Sequence, residues 1–294
     1  MEKRRIIIVS LLFIGVLLAG SLIYYAANNK ENSDDGKIGV AVSIGPEVEF
    51  VKAVGGDKVK VALMVPSGSD PHTYEPLPSQ LAQVSNAKMY AEVGTPVEFE
   101  TNYMDKIKSA NPDMLIVNSS NGIQLMPNTA ENEASTIDPH VWTDPKNAKI
   151  MVENIYNGLV QVDPSDEAYF KKNRDKYLQQ LDELDKNTTE ILKGKHSTPI
   201  LIFHPAFSYY CKDYNLTMVA AMVNDEEPSP QRIAMLVNTA KQNNIKTVFT
   251  EPQYDSKYMQ SVASQTGSQV LYVNDLDENY IQNMENVAKA FSQA

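Results

Sequence analysis

The chain has 294 residues, of which 43% are hydrophobic and 21% are charged. This is the composition of a folded protein, and the length favours two lobes over one. Its 37 acidic residues outnumber its 26 basic residues, which gives a net charge of −11. No stripe of Lys and Arg can neutralise a series of phosphates, so we exclude a nucleic acid as the partner.

The N-terminus has the pattern of a membrane anchor. Cationic residues at positions 3–5 precede an uncharged run over residues 6–27. As a helix this run would be about 33 Å long, which matches a hydrocarbon core of about 30 Å. Basic residues before the run and acidic residues after it, within 31–35, predict that the rest of the chain lies outside the cytoplasm.

The anchor has one rival interpretation, a cleaved signal peptide, whose apolar region is usually shorter and ends in small residues. Residues 18–20 (LAG) resemble the start of a lipoprotein box, but Ser21 stands where the acylated cysteine is required. No lipid thioether can form there. We therefore predict an uncleaved anchor and a polar tether over residues 1–36, which keeps the protein at the cell membrane.

After the tether, short β-rich runs alternate with helical patterns, as in parallel sheets covered by helices. The predicted fold is α/β, with a first lobe over residues 37–160, a linking helix over 161–195 and a second lobe over 196–294. Strands are predicted at residues 37–43, 59–65, 88–93, 114–117, 199–203, 217–222, 247–250 and 269–273. Helices are predicted at residues 46–54, 79–86, 96–109 and 280–291, with others filling the gaps of the second lobe.

The linking helix begins at a strong start signal. Asp163 is suited to cap the helix and Pro164 to occupy its first turn. No Gly or Pro follows before residue 193, so the helix is about 45 Å long. It is expected to pack across both lobes and to restrict their closure. Its apolar face is formed by Tyr177, Leu181, Leu184 and Ile191.

Three of the four histidines follow predicted strands. His72 and His140 lie in loops of the first lobe, His204 directly follows the strand at 199–203, and Asp275 comes after the last strand. Ligands of open α/β sheets bind outside the carboxyl ends of the strands. These four side chains are therefore expected to converge on one cleft between the lobes.

Three neutral imidazoles and one carboxylate suit a divalent first-row metal. Calcium and magnesium prefer oxygen ligands almost throughout, so neither fits. Zinc suits a tetrahedral, histidine-rich site. Manganese accepts the same ligands with more oxygen, so zinc is favoured and manganese stays open.

Four segments together resemble the zinc/manganese solute-binding proteins of ABC importers, and the similarity runs from about residue 38 to the C-terminus. They are residues 70–79 (DPHTYEPLPS), 138–145 (DPHVWTDP), 203–207 (FHPAF) and 250–253 (TEPQ). The resemblance implies two α/β lobes joined by a backbone helix, with metal held between them and passed to an ABC permease and its ATPase. We also predict a monomer that is not an enzyme, because four protein ligands would close the metal site. The ligands that the resemblance implies are His72, His140, His204 and Asp275.

This chain departs from the pattern in two places. Zinc-type members commonly have histidine at the third ligand position, as here, but many also have a histidine-rich loop before the second ligand. Residues 121–137 contain no histidine and two glutamates. Asp277 lies close enough to Asp275 in the sequence to be an alternative fourth ligand.

Other candidate residues have structural interpretations. Glu251 follows a strand and is suited to orient a ligand histidine. His196 lies at the end of the linking helix, where a cation favours the helix dipole. Cys211, the only cysteine, is expected in the core, and Trp142 is expected to pack at the lobe interface.

Two other functions stay open. A secreted zinc hydrolase would need an open metal position and a general base, and the sequence has no HExxH motif or nucleophile elbow. A surface adhesin with a structural metal is the second alternative. Such a protein would need the metal for folding, whereas a carrier would stay folded without it.

Overall fold

Eight strands in two separate sheets organise the computed structural model, which describes residues 36–128, 137–223 and 226–294. The predicted membrane run at residues 6–27 lies outside the described residues. Within the described ranges, every helix is too short or too polar to span a bilayer. Residues from Ile38 to Ala294 form one compact unit.

Each sheet has four parallel strands in the order second, first, third, fourth. This order reverses direction beside the first strand, which opens a crevice at the carboxyl ends of the strands. The first sheet contains β1 (Ile38–Val42), β2 (Val59–Leu63), β3 (Met89–Glu92) and β4 (Leu115–Asn118). The second contains β5 (Pro199–Ile202), β6 (Thr217–Ala220), β7 (Thr247–Thr250) and β8 (Gln269–Tyr272).

Helices connect the strands and cover both sheets, so the predicted α/β fold with two lobes is confirmed. The first lobe has α1 (Gly45–Gly55), α2 (Pro78–Val84), α3 (Glu98–Ala110) and α4 (Pro145–Val162). The linking helix is α5 (Glu167–Ile191). The second lobe has α6 (Ser208–Asp213), α7 (Pro230–Gln242), α8 (Lys257–Thr266) and α9 (Tyr280–Phe291).

The linking helix α5 has 25 residues and is about 38 Å long. A 3₁₀ turn at Pro164–Asp166 precedes it, and the Asp163 carboxylate accepts a hydrogen bond from the Ser165 amide. Helix α5 packs against α1 and α4 of the first lobe and against α9 of the second. It therefore contacts both lobes, as its length predicts.

One hydrophobic core passes through both lobes. Val40 and Trp142 of the first lobe belong to the same buried cluster as Leu181 of α5 and Phe249 and Phe291 of the second lobe. Among the described residues, a separate cluster lies between the second sheet and helices α7 and α8. Because separating the lobes would expose the shared core to water, large hinge opening would be energetically costly.

Candidate metal centre

Three histidine rings from both lobes meet at the carboxyl ends of the strands. Each ring offers one nitrogen atom, and the three nitrogens of His72, His140 and His204 all lie within 4.8 Å of one another. The Nε2 atoms of His140 and His204 are 3.0 Å apart. Both of these residues are buried, and the His72 side chain is 10% exposed. The structure thus brings together the three histidines that the topology argument selected.

The two histidines of the first lobe sit in the same local Asp-Pro-His turn. In each turn the histidine backbone amide donates a hydrogen bond to the aspartate carboxylate two residues before it. The distance is 3.0 Å for His72 and Asp70, and 2.9 Å for His140 and Asp138. Aspartate favours such local bonds to the backbone two residues on. The turn fixes the direction in which each imidazole leaves the loop.

A carboxylate also lies at the Nδ1 atom of each of these rings. Asp138 Oδ1 is 2.9 Å from His140 Nδ1, and Glu98 Oε2 is 2.5 Å from His72 Nδ1. A carboxylate at Nδ1 holds the proton there and leaves the Nε2 lone pair for a metal. Such pairing also increases the basicity of the imidazole as a ligand.

His204 enters the cluster from the second lobe, directly after β5. Burial is the main reason that the pKa of His204 lies well below its usual value, and the nearby His140 and His72 lower that pKa further. The ring is therefore neutral near pH 7, which is the form that coordinates a metal. Its backbone amide donates to Glu251 Oε2 at 3.3 Å, and its Nδ1 lies 3.5 Å from the Met222 sulfur.

Asp275 lies near His140 and His72. Its carboxylate oxygens do not belong to the group of histidine nitrogens that lie within 4.8 Å of one another. Asp275 is 3% exposed, and burial raises its pKa while the nearby His140 opposes that rise. Gln253 Nε2 donates to Asp275 Oδ1 at 3.1 Å. The alternative residue, Asp277, accepts hydrogen bonds from Asn279 within its own turn. The contacts therefore favour Asp275 over Asp277.

Glu251 contacts the backbone of His204, not its ring. It is fully buried, and burial together with the nearby Asp275 raises its pKa well above the usual value. The carboxylates that contact Nδ1 atoms of the cluster are Asp138, at His140, and Glu98, at His72. The Asp-Pro-His pattern contains the signal for Asp138, but no sequence feature relates Glu98 to His72.

The remaining candidates lie outside the cluster. His196 is exposed and bonds to Asn215 at 3.2 Å. Cys211 is buried in the core, which raises the pKa of its thiol. Trp142 packs between the lobes as predicted, and its indole donates to the Asp275 carbonyl at 2.8 Å.

Two buried glutamates hold the loops at the ends of β1 and β3. Glu47 accepts hydrogen bonds from the Ser43 amide and the Ser119 hydroxyl, at 3.1 Å each. Glu100 accepts from the Val93 amide at 2.6 Å and from the Ser43 hydroxyl at 2.5 Å. Burial raises the pKa of Glu100 to about 7, although these hydrogen bonds oppose the rise.

We expect Glu100 to make the metal-free protein less stable as the pH rises from about 4.5 to about 7. In that window the folded protein holds the proton, whereas the unfolded chain has released it. A shift of this size corresponds to about 3 kcal/mol of unfolding free energy. Urea unfolding at several pH values, compared with Glu100→Gln, measures the contribution, because the variant removes this titration but leaves the histidines. Equal pH slopes for both proteins would contradict the expectation.

Two α/β lobes on a shared backbone helix, with buried imidazoles between them, define a class of substrate-binding proteins that hold a metal ion. The family model for the zinc-uptake complex component A, periplasmic (ZnuA), matches residues 40–294. The chain belongs to this family.

Individual relatives agree with this assignment. The high-affinity zinc uptake system protein ZnuA of Bacillus subtilis is 30% identical over 285 residues, covering 89% of this chain and 87% of that protein. The manganese ABC transporter substrate-binding lipoprotein PsaA of Streptococcus anginosus is 29% identical, covering 87% and 84%. A crystal structure of ZnuA has a TM-score of 0.83 at 33% identity, covering 88% of this chain and 99% of that one. Both zinc and manganese therefore occur among the named relatives.

Proposed function

We propose that this chain captures zinc outside the cytoplasm and delivers it to an ABC importer. The observation that carries the proposal is the cluster of three buried or nearly buried imidazoles, whose nitrogen atoms lie within 4.8 Å of one another. Relatives named for zinc uptake and for manganese ABC transport support the substrate class and the importer.

The proposed ligands are His72, His140, His204 and Asp275. Four-coordinate zinc with Zn–N bonds of about 2.0–2.1 Å places nitrogen ligands about 3.3 Å apart. The His140 and His204 Nε2 atoms are 3.0 Å apart, so a small adjustment admits the ion. Three nitrogens and one oxygen favour zinc over manganese, which usually takes more oxygen ligands.

We propose a carrier role without catalysis. Four protein ligands leave no position for a metal-bound water, which a zinc hydrolase requires. The two buried glutamates of the first lobe, Glu47 and Glu100, are occupied by hydrogen bonds to backbone amides and serine hydroxyls. The shared core limits the movement of the lobes, so metal entry is expected to require local shifts of the second lobe.

The anchor and the oligomeric state are part of the same proposal. The streptococcal relative is named a lipoprotein, whereas this chain has Ser21 in place of the acylated cysteine. We propose that residues 6–27 replace the lipid as a peptide anchor and that the carrier acts as a monomer. The first lobe is assigned to residues 37–160, the linking helix to 161–195 and the second lobe to 196–294.

Thermal unfolding with and without zinc tests the carrier role. We expect the protein freed of metal by a chelator to stay folded, because its core does not include the ion. Zinc at about 100 times its Kd is expected to add about 2.7 kcal/mol, which raises the Tm by about 5–10 °C for a chain of this size. Circular dichroism follows both states. Loss of secondary structure on chelation would favour a structural metal, and no zinc-dependent shift would contradict the proposal.

A further inference from the structure

The carboxylate of Asp275 has a hydrogen-bond donor on one of its two oxygens. Gln253 Nε2 donates to Asp275 Oδ1 at 3.1 Å, and Asp275 is 3% exposed. An amide donor on a buried carboxylate oxygen reduces the availability of that oxygen to a metal. The other oxygen carries no bond to Gln253, and it is the one proposed here for coordination.

The backbone of Asp275 is fixed as well. The Trp142 indole donates to the Asp275 carbonyl at 2.8 Å, and the Tyr280 hydroxyl donates to the Trp142 carbonyl at 2.9 Å. All three residues are buried. Because the main chain is fixed in this way, Asp275 cannot easily shift to present both oxygens while the Gln253 bond is kept.

Gln253 itself sits in a short turn at the carboxyl end of β7. The Tyr254 amide donates to the Glu251 carbonyl at 3.3 Å, which closes this turn around Pro252 and Gln253. Glu251 anchors the start of the turn through its hydrogen bond to the His204 amide. The Gln253 amide is thereby held next to the proposed fourth ligand.

We propose that Gln253 determines metal selectivity by restricting Asp275 to a single coordinating oxygen. This inference rests on the proposed function. A one-oxygen carboxylate completes a four-coordinate site with three imidazoles, which suits zinc. Manganese prefers a higher coordination number with more oxygen, and the Gln253 bond withholds the extra oxygen.

Competitive titrations of zinc and manganese on Gln253→Ala test the proposal. We expect the ratio of zinc affinity to manganese affinity to fall by roughly 10-fold, the usual size of an effect from a residue that orients a ligand. Gln253→Leu removes the same donor and keeps more of the side-chain volume. The matched control is Gln260→Ala, which replaces an exposed glutamine of α8 whose side chain donates to the neighbouring Ser256 hydroxyl.

Cobalt(II) substitution provides a readout that a general loss of stability would not change. A four-coordinate cobalt site absorbs visible light strongly, and a site of higher coordination number absorbs weakly. We expect an intense band in the parent protein and in Gln260→Ala, and a weaker band in both Gln253 variants. An unchanged metal ratio and an unchanged band in the variants would overturn the role of Gln253. Failure of the parent protein to bind zinc would instead overturn the proposed function, and this inference with it.

Discussion

Replacing His140 with alanine is expected to weaken zinc binding by more than about 100-fold, because residues that only orient a metal ligand already contribute about 10- to 100-fold. His140 is central to the cluster. Its Nε2 lies 3.0 Å from His204 Nε2, and its Nδ1 is held by Asp138. Isothermal titration calorimetry of metal-free protein measures both the affinity and the stoichiometry.

His196→Ala is the matched control for this substitution. His196 is the one histidine of the chain outside the cluster, and it is exposed. We expect this variant to bind zinc with unchanged affinity and a stoichiometry of one. Equal loss of affinity in both variants would mean that binding depends on histidine content and not on the cluster, and retained affinity in His140→Ala would remove that residue from the site.

Much of the fold follows from local sequence patterns. All eight predicted strands are present, with ends that differ by a few residues at most. Helix α4 (Pro145–Val162) was not among the predicted elements, although Asp144 and Pro145 repeat the start signal of Asp163 and Pro164. Asp144 does cap α4, since its carboxylate accepts from the Lys146 amide at 2.9 Å. The same Asp-Pro start signal therefore marks the N-terminus of α4.

The shared core was not predictable from local patterns. Periodicity shows that Phe249 and Phe291 are buried, but it does not show that they join a cluster containing Trp142 of the other lobe. The sequence suggests two lobes with a rod between them. The structure shows that their inner faces are continuous through α5 and α9, which depends on the angle between helices and not on the sequence of any one helix.

The candidate site, like the fold, is only partly predictable from the sequence. The rule that ligands bind at the carboxyl ends of parallel strands was sufficient to select His72, His140 and His204 from the sequence. Their role as metal ligands stays a prediction. The pairing of Glu98 with His72 spans 26 positions and two elements, and the Gln253–Asp275 bond spans 22, so neither follows from spacing. Partners of this kind depend on side-chain placement after packing.

The close approach of the lobes next to Asp275 gives a second large expected effect. A Cβ atom on Gly45, at the start of α1, would lie 2.0 Å from the carbonyl oxygen of Leu276. The nearest atoms that this Cβ would meet are backbone atoms of Leu276 and Asp277, so no side-chain rotation relieves the overlap. Gly45→Ala must therefore move the segment that contains Asp275.

We expect Gly45→Ala to destabilise the protein by about 2 kcal/mol or more, the cost of overpacking a well-filled interior. The sign of this stability change is informative, because replacing glycine with alanine in a helix ordinarily stabilises a protein by up to about 1 kcal/mol. Zinc affinity is expected to fall by about 10-fold, as for other changes that misplace a ligand. Urea unfolding and calorimetry measure the two effects separately.

Two comparisons separate displacement of Asp275 from general destabilisation. Gly39→Ala in β1 places its Cβ 3.4 Å from the Ala87 Cα, an ordinary contact, and should leave zinc affinity unchanged. In an Asp275→Ala background, Gly45→Ala should lower stability but cause no further loss of affinity, because the ligand that it displaces is already absent. Increased stability in Gly45→Ala, or the same additional loss of affinity in both backgrounds, would show that the contact between Gly45 and Leu276 does not position the fourth ligand.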